Sequence, residues 1–453
     1  MTSDPFDFTA ADLDALALVP DEEQRSILGR ELLAERGLPA PDDLSVAENV
    51  LVYPELRDVV FGRLPVLPEQ GIRYVTAYGT PELRGLAAER LGRSLGAEIS
   101  PEHVFGAAGV SGALTCVALG LQQEGGPVPR GSSVLLPAPC WQGFYWCFDQ
   151  EAGLHSRPVA LADEETFRLT VADLARAYDE APEPKPRLLV LTNPHNPLGY
   201  NYEPALLEDV YRWALSKPDL HVISDEMYCH SQLEATSTPF VSALALEATR
   251  YAPERVHVVW GFAKDFGLSG FRAAFVVSRS RWVREVMLGD KARRRTSQAW
   301  FSTYDSLKHF FTRDVFTAEG GAFWDRAMRA YRRRLTESFE AVARVLDVHD
   351  IRYVRQPFAN SAQFFWLDLR EFLALAPPAG SAAALFGDGR AEDPETALWG
   401  AIRANAGVTL LTGTTLSCRR PGYFRLCFTA LDRDRVVAAV ERMCRYLRSI
   451  RPA

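Results

Sequence analysis

Lysine is scarce in this sequence. Of the 50 lysines and arginines among 453 residues, only five are lysines: Lys185, Lys217, Lys264, Lys291 and Lys308. A GC-rich genome that replaces lysine codons by arginine codons explains such a bias. Because arginine cannot form a Schiff base, however, chemistry that needs a side-chain amine has few candidate residues here.

Disulfide patterns, membrane spans and excess positive charge are also missing. The seven cysteines contain no CxxC pair and are too sparse for a disulfide scaffold, which fits a reducing cytoplasm. No apolar run reaches the ~18 residues of a membrane span, and the acidic N-terminus has no signal-peptide pattern. The net charge of −8 argues against broad binding to nucleic acid or anionic membranes. The eight histidines show no HxxxH pair, which argues against a metal site. From the cysteines and the N-terminus we expect a cytoplasmic protein.

Buried strands alternate with helical patterns between about residues 100 and 280. Short, nearly continuous apolar runs are typical of strands that are covered on both faces. These runs are Val134–Leu136, Leu188–Leu191, His221–Ser224, Val256–Trp260 and Ala273–Val277. They predict an α/β domain with a mostly parallel sheet.

A second, smaller domain is predicted after about residue 305. A long helical stretch covers Phe310–Val348, and short strands follow near 361–369 and 423–428. We expect a large domain over residues 70–305, and a small domain made of residues 1–69 together with 306–453.

Turn-forming motifs follow several of the apolar runs, at the carboxyl ends where open α/β sheets bind ligands. The motifs are PAPCWQG (137–143), TNPHNPLG (192–199), DEMY (225–228) and GFAKDFGLSG (261–270). They bring turn formers, a carboxylate, a phenol and a lysine to one edge of the predicted sheet. We therefore expect the ligand site at this edge.

Three side chains in these motifs are candidates for chemistry. Lys264 is the only lysine that follows a buried strand within a glycine-containing loop, where a desolvated amine acts as nucleophile or base. The alternative is a surface-loop lysine. Asp225 ends another buried strand and needs a cationic partner, such as a protonated pyridine nitrogen, unless it caps the following helix. Tyr228 either contacts the same ligand or packs in the core.

Arg272 and a glycine-containing segment are candidates for binding a phosphate. Arg272 lies eight residues after Lys264, and its planar guanidinium suits a phosphate. The segment GAAGVSG (106–112) precedes an apolar helical stretch, so its amides and Ser111 suit an anion at a helix N-terminus. A dinucleotide site is the alternative reading, although the segment lacks the GxGxxG order.

Together the motifs resemble the fold-type I, pyridoxal-phosphate-dependent aminotransferase superfamily (class I/II), and within it the 1-aminocyclopropane-1-carboxylate synthases. NPHNPLG (193–199), DEMY (225–228) and KDFGLSGFR (264–272) match in identity, order and spacing. The resemblance covers most of the chain. It implies a mostly parallel seven-stranded sheet flanked by helices, a smaller α+β domain, pyridoxal 5'-phosphate as cofactor and a homodimer with shared active sites.

The resemblance also implies roles for individual residues around the cofactor ring. Lys264 matches the lysine that forms the Schiff base with the cofactor and later transfers protons. Asp225 would pair with the pyridine nitrogen, Asn196 and Tyr228 would hydrogen-bond to the ring oxygen, and Trp141 would stack on the ring.

For the cofactor phosphate, the resemblance implies Arg272 together with Val110 and Ser111. Tyr74 fits the position of the tyrosine that reaches the phosphate from the partner subunit in ordinary aminotransferases. The cyclopropane synthases instead have a tyrosine at the position of Ala77 here. The family commonly has serines one and three residues before the lysine, but this chain has alanine and glycine there.

Two further segments resemble the cyclopropane synthase group in particular. Glu48 lies in an AEN-x-L segment, where the glutamate of that group is near the substrate amine; a capping or surface acid is the alternative. Arg425 lies in PGYFRLCF (421–428) and matches the arginine that binds the substrate carboxylate.

The resemblance implies S-adenosylmethionine as substrate, with removal of the α-proton and loss of methylthioadenosine from Cγ. The product is then either a cyclopropane amino acid or a vinylglycine-type species captured by a second small-molecule substrate, in a γ-replacement or annulation. Transamination of an amino acid is the alternative activity, since it uses the same residues.

Overall fold

A computed structural model describes residues 31, 41–61, 76–234, 238–289, 305–354, 361–375 and 393–451. In chain order the strands are β1 Asp42–Asp43, β2 Val104–Ala108, β3 Ser133–Pro137, β4 His155–Val159, β5 Leu188–Thr192, β6 His221–Asp225, β7 Val256–Gly261, β8 Ala273–Ser278, β9 Arg352–Tyr353, β10 Phe364–Asp368, β11 Val408–Thr409, β12 Leu411–Thr412 and β13 Tyr423–Cys427.

The α-helices of the described residues are, in the same order, α1 Tyr53–Leu56, α2 Pro81–Leu95, α3 Gly109–Leu121, α4 Gly143–Tyr145, α5 Val171–Glu180, α6 Pro204–Ser216, α7 Phe262–Asp265, α8 Arg281–Leu288, α9 Ser306–Thr317, α10 Ala322–Val348, α11 Pro394–Ala406 and α12 Arg433–Ile450. None of these helices combines the length and hydrophobicity that a bilayer span requires.

Seven strands form one sheet with the order β2-β8-β7-β6-β5-β3-β4. The pairs from β7 through β6, β5 and β3 to β4 are parallel, whereas β8 is antiparallel to both of its neighbours. Residues of β3, β5, β6, β7 and β8 are buried throughout, which is why their sequences are largely apolar and do not alternate regularly with polar residues. The mostly parallel seven-stranded sheet flanked by helices is confirmed.

The remaining strands form smaller sheets. β12, β13, β10 and β9 make an antiparallel sheet in that order, and β1 pairs in parallel with β11. Helices α11 and α12 pack on each other beside β11. This is the smaller α+β part of the fold that the sequence predicts.

The chain divides into two compact units. The larger comprises Leu51–Leu335 with Gln356–Ala362, and the smaller comprises Met1–Val50, Thr336–Arg355 and Gln363–Ala453. The predicted boundaries differ, since they leave residues 51–69, 306–335 and 356–362 in the small domain. Helix α9 packs against α2, which accounts for its place in the larger unit. The domain boundaries proposed from the sequence stay a prediction.

The long helical stretch predicted over Phe310–Val348 is interrupted. Helix α9 ends at Thr317 and α10 begins at Ala322. Between them Glu319 has a φ of 55° and Gly320 a φ of 63°, in the left-handed region where a right-handed helix cannot continue. The prediction of one continuous stretch was therefore wrong at residues 318–321, where the sequence AEGG contains the two glycines that favour a turn.

Aromatic side chains form the floor beneath the loop that follows β7. The Trp324 ring packs within about 5–6 Å of the rings of Phe262, Phe266 and Phe316, and Trp260 packs against Phe262. All five residues are buried. Such closely packed rings give the loop a rigid base.

Candidate active site

The carboxyl ends of three neighbouring parallel strands meet at one edge of the large sheet. Asp225, the last residue of β6, pairs with Thr192 at the end of β5 and with Val259 near the end of β7. The motifs TNPHNPLG, DEMY and GFAKDFGLSG therefore begin side by side. Their convergence follows from strand order, which local sequence alone does not contain.

The phosphate-binding candidates reach the same edge from the other side of β7. Gly261 at the end of β7 pairs with Ala274 near the start of β8, and Ala273 pairs with Ala108 at the end of β2. Because β8 is antiparallel to both neighbours, its first residue lies beside the ends of β2 and β7. Arg272, which precedes β8, is thus placed next to the N-terminus of α3.

Asp225 is a buried carboxylate that is close enough to Lys264 for the charge of the lysine to affect its pKa. Asp225 is 5% exposed, and the Met227 amide donates a hydrogen bond to its Oδ1 at 3.3 Å. Burial raises the pKa of Asp225 from 3.8 to about 7, and the Met227 amide and the positive charge of Lys264 act in the opposite direction. Lys264 is half-buried in the single turn of α7. An amine and a desolvated carboxylate therefore share one low-dielectric site.

Arg272 lies directly against the first residue of helix α3. A Cβ atom added to Gly109 would come within 2.6 Å of Arg272 Nη2 and 2.9 Å of its Cζ, so only glycine permits this approach. Gly109 has a φ of 78° and Arg272 a φ of 52°, both in the left-handed region. The guanidinium of Arg272 is exposed and also donates to the Ser269 carbonyl at 3.2 Å.

Helix α3 presents its first turn at this position without a side-chain cap. Its preceding residue is Ala108, whose methyl side chain cannot cap the amides of the first turn. Val110 is buried and Ser111 half-buried in that turn. Uncapped amides of a 13-residue helix beside a guanidinium form an anion-binding arrangement.

Trp141 has its position fixed by a glycine. A Cβ atom at Gly143 would lie 2.1 Å from Cζ2 of the indole, so Trp141 folds into space that any side chain at Gly143 would fill. The indole packs edge-to-face with Phe144 and Trp146, at centroid distances of 5.4 and 5.8 Å. Trp141, Tyr145 and Trp146 are half-buried, whereas Phe144 lies in the core.

Asn196 and Tyr228 are both buried, at 4% and 3% exposure, in loops at the same edge of the sheet. The first of these loops is fixed by Asn193, whose amide donates to the Val241 carbonyl and whose oxygen accepts from the Tyr202 amide. Loop 193–199 is therefore held by its own first residue.

The two departures from the family pattern before Lys264 have different surroundings. A Cβ atom at Gly261 would lie 2.8 Å from the Ala273 carbonyl oxygen and 2.9 Å from the Ala274 Cβ. Since these are strand atoms that cannot move aside, β8 leaves no room for a serine at this position. Ala263 is buried, and its carbonyl accepts a hydrogen bond from the Ser269 hydroxyl at 3.1 Å.

Tyr74 lies outside the described residues, so its predicted contact stays a prediction. Ala77 is buried. Tyr78 is engaged within its own chain, because its ring packs edge-on against Phe105 and the Arg84 guanidinium lies 5.5 Å from its centroid.

In the smaller unit, the segment around Glu48 is hydrogen-bonded to β13 and its continuation. Cys427 donates its amide to the Leu44 carbonyl at 2.9 Å, and Val50 donates to the Thr429 carbonyl at 3.0 Å. The Thr429 hydroxyl donates to the Glu48 carbonyl at 2.6 Å. These bonds hold the AEN-x-L segment beside the strand that carries Arg425.

Arg425 is fully buried in that strand. Its guanidinium donates to the Ser45 carbonyl and lies 4.7 Å from the centroid of the Phe364 ring. A guanidinium at this depth favours a carboxylate partner, because an isolated buried charge is costly. The structure thus places the segment that contains Glu48 beside the strand that carries Arg425 within the smaller unit.

Comparison with known proteins identifies the family of this chain. The family model described as aminotransferase class I and II matches residues 69–443. The chain belongs to this family. A 1-aminocyclopropane-1-carboxylate synthase of Oryza sativa subsp. japonica, number 5, is 29% identical over 82% of this chain and 64% of its own length. The chain therefore spans less than two thirds of that relative. The probable aminotransferase tcpI of Claviceps purpurea is 28% identical, over 88% of each chain.

Solved aminotransferase structures share the fold. The aromatic aminotransferase of Pyrococcus horikoshii OT3 superposes with a TM-score of 0.69 at 21% identity, over 90% of this chain and 96% of its own. A tetra mutant of Thermus thermophilus aspartate aminotransferase complexed with tryptophan gives 0.70 at 22% identity, over 97% and 99%.

The chain is a pyridoxal-phosphate-dependent enzyme of the class I and II aminotransferases. The residues at the sheet edge fit this cofactor. Gly109 leaves room for Arg272 at an uncapped helix N-terminus, which suits the phosphate. Asp225 is a desolvated acid that needs positive charge, which suits a protonated ring nitrogen.

Replacing Gly109 by alanine should push the Arg272 guanidinium away from the helix N-terminus. We expect the affinity of the cofactor-free enzyme for pyridoxal phosphate to fall about tenfold or more, because one charge-assisted hydrogen bond contributes ~1.5–3 kcal/mol. Pyridoxal, which has no phosphate, should bind equally to both forms. The control is Gly96→Ala, because Gly96 also has a positive φ, 65°, but open space around its Cβ position. Unchanged phosphate-dependent affinity in Gly109→Ala would contradict the assignment.

Asp225 should make the stability of the cofactor-free enzyme depend on pH. Its pKa is about 7 in the folded chain and near 3.8 when unfolded, so the folded state holds the proton more tightly. The free energy of unfolding should therefore fall by roughly 2–4 kcal/mol from this group as pH rises from about 4 to about 7. Urea unfolding across this range measures it, and Asp225→Asn should flatten the curve. A wild-type stability that rises over this interval in parallel with the variant would refute the prediction.

Proposed function

We propose that this enzyme acts on S-adenosylmethionine, removing the α-proton and releasing methylthioadenosine from Cγ. The observation that carries the proposal is the pairing of the AEN-x-L segment with the Arg425 strand in the smaller unit. Glu48 and Arg425 then offer a carboxylate and a guanidinium to the amine and the carboxylate of one amino-acid substrate. The similarity to a protein described as a 1-aminocyclopropane-1-carboxylate synthase supports this choice.

In the larger unit, each candidate residue has a separate task in the proposed reaction. When bound, pyridoxal phosphate supplies an electron sink for the electrons left at the substrate Cα. Lys264 anchors the cofactor through its amine and then removes the proton from Cα. Asp225 holds a proton on the pyridine nitrogen, and the low dielectric around it strengthens that interaction.

The remaining residues orient the cofactor. Arg272 and the first-turn amides at Val110 and Ser111 would bind the phosphate, Trp141 would cover the ring, and Asn196 and Tyr228 would donate hydrogen bonds to the ring oxygen. With Gly261 closed to any side chain by β8, Arg272 and the helix N-terminus carry more of the phosphate binding than in relatives that have a serine there.

Two outcomes are compatible with loss of methylthioadenosine. In ring closure, Cα forms a bond to Cγ while the Cγ–S bond breaks and its electron pair leaves on sulfur. In γ-replacement, a second proton is removed at Cβ, and the electron pair left there expels the thioether as the Cγ–S bond breaks. A second substrate then adds at Cγ, and protons return to Cβ and Cα. The half-buried Trp141, Tyr145 and Trp146 would form a wall for such a second substrate.

A second candidate function is transamination. It is favoured by the match to the Claviceps protein described as a probable aminotransferase, which extends over 88% of that chain against 64% for the rice synthase. The same residues would serve, with reprotonation at the cofactor carbon.

We further propose a cytoplasmic homodimer whose subunits share active sites; Tyr74 would then reach the partner's phosphate. That all seven cysteines are buried and none forms a disulfide fits a reducing compartment.

Incubation of the holoenzyme with S-adenosylmethionine should release methylthioadenosine, measured by chromatography with mass detection. Lys264→Ala should slow the release by about 10²–10⁴-fold, because it removes the proton-transferring amine. The control is Lys217→Ala, since Lys217 packs against the Tyr178 and Trp213 rings before the first residue of β6, whereas Asp225 is the last residue of that strand. This variant should keep wild-type activity. Absence of methylthioadenosine together with amine exchange that depends on a keto acid would replace the proposal by transamination.

A further inference from the structure

Asp265, the residue after Lys264, is a buried carboxylate that the proposed reaction does not use. It is fully buried. Its Oδ2 accepts hydrogen bonds from Trp260 Nε1 at 3.0 Å and from the His230 amide at 3.2 Å, and its Oδ1 accepts from the Ser231 hydroxyl at 2.8 Å. The Cys229 thiol also donates to Oδ2, at 3.6 Å. Four donors converge on one carboxylate.

These donors come from two directions. Trp260 belongs to β7 and to the aromatic floor beneath α7. His230 and Ser231 belong to the loop that directly follows the DEMY motif. Asp265 therefore ties the turn that carries Lys264 to the loop that begins with Asp225.

The loop beyond DEMY is itself held from further sides. The Ser231 hydroxyl lies 2.8 Å from the Tyr331 hydroxyl on α10, and the Ser231 carbonyl accepts from the Ala362 amide at 2.7 Å. A second bridge joins Gln232 to Ser361. These contacts hold the loop beyond DEMY rigidly. The hydrogen bonds from this loop to Asp265 can therefore fix the position of α7.

Helix α7 is only four residues long, Phe262–Asp265. A turn this short has almost no stability of its own, because helix nucleation is unfavourable. Its conformation depends on what holds its ends. Gly261 fixes the first end against β8, and Asp265 fixes the last end through its four donors.

We propose that Asp265 is a positioning residue for Lys264, holding the α7 turn so that the lysine amine stays opposite Asp225. This inference rests on the proposed role of Lys264. Because all the contacts described above donate to the carboxylate, Asp265 is set up to be ionised when the cofactor is bound. Burial opposes this and raises the pKa of Asp265 to about 7, while Trp260, Ser231, His230 and Cys229 lower it.

The same residues also have the composition of a metal site. Ligand atoms of Cys229, His230 and Asp265 lie within 4.8 Å of one another. The sequence predicts no metal here, and the hydrogen bonds from the Cys229 thiol and the His230 amide to Asp265 favour a hydrogen-bonded network over a coordination shell. Bound metal is therefore an outcome that the test must detect.

The test compares Asp265→Asn with Asp173→Asn. Asp173 is a matched control, because it too is fully buried and accepts from two amides, a threonine hydroxyl and Arg176, on helix α5. Both substitutions place an amide NH₂ against existing donors, so both should lower the thermal midpoint of unfolding. Only Asp265→Asn should alter the cofactor.

The readout is the pH at which the absorbance band of the bound cofactor changes between its protonated and unprotonated forms. We expect Asp265→Asn to lower this midpoint by roughly 0.5–1 pH unit, because a displaced Lys264 nitrogen lies farther from the negative charge of Asp225 that stabilises its cationic form. Asp173→Asn should leave it unchanged. Trp260→Phe, which removes one donor but keeps a ring in the aromatic floor, should shift the midpoint in the same direction by a smaller amount.

The outcomes are distinct. If Asp265→Asn leaves the midpoint at the wild-type value while losing as much stability as Asp173→Asn, Asp265 is only structural and the proposal is overturned. One equivalent of zinc in the purified wild-type enzyme, lost in Asp265→Asn, would also overturn it in favour of a metal site. If the wild-type protein instead shows no cofactor band that depends on Lys264, the proposed function itself fails.

Discussion

The Asp225 carboxylate has lost nearly all of its water, and this constraint organises the rest of the large unit's sheet edge. A buried acid must either keep its proton or face positive charge. In this chain the positive charge comes from Lys264 on the neighbouring strand's loop, and a protonated pyridine nitrogen would supply more. The desolvation free energy of an ionised Asp225 is thus fully offset only when the cofactor is present. This requirement couples the electrostatics of the fold to its function.

The strand order determines which groups can satisfy that constraint. The parallel strands β5, β6 and β7 present their ends side by side, and the antiparallel β8 returns its first residue to the same edge. Backbone at positive φ completes the arrangement, because Gly109 and Arg272 adopt conformations that bring a guanidinium onto the first turn of a helix. Beneath the lysine, the aromatic floor and the Asp265 network keep a four-residue turn in place. In the proposed site, three separate local arrangements would therefore bind the phosphate, hold the charge at the ring nitrogen and position the amine.

Much of this could be predicted from the sequence, for physical reasons that particular residues make clear. Strands buried on both faces are continuously apolar, so each of the runs such as Leu188–Leu191 lies within a strand of the structure. The strand β4 was not predicted, because it lies at the sheet edge, is partly exposed and contains Pro158. The break between α9 and α10 was missed although Gly320 and Gly321 mark it. The absence of space for a side chain at position 261 depends on its pairing with β8, and three of the four donors to Asp265 lie 34 to 36 residues away along the chain. Contacts between such distant segments cannot be predicted from a local sequence pattern.

The central claim is that Lys264 is the amine that holds the cofactor, and the scarcity of lysine makes it directly testable. Borohydride reduction of the holoenzyme fixes pyridoxal phosphate to the lysine that binds it, and peptide mass spectrometry then locates the added mass among the five lysines. The account predicts one modified peptide, the one that contains Lys264, with Lys185, Lys217, Lys291 and Lys308 unmodified. Modification of one of those four, or of no lysine at all, would contradict it.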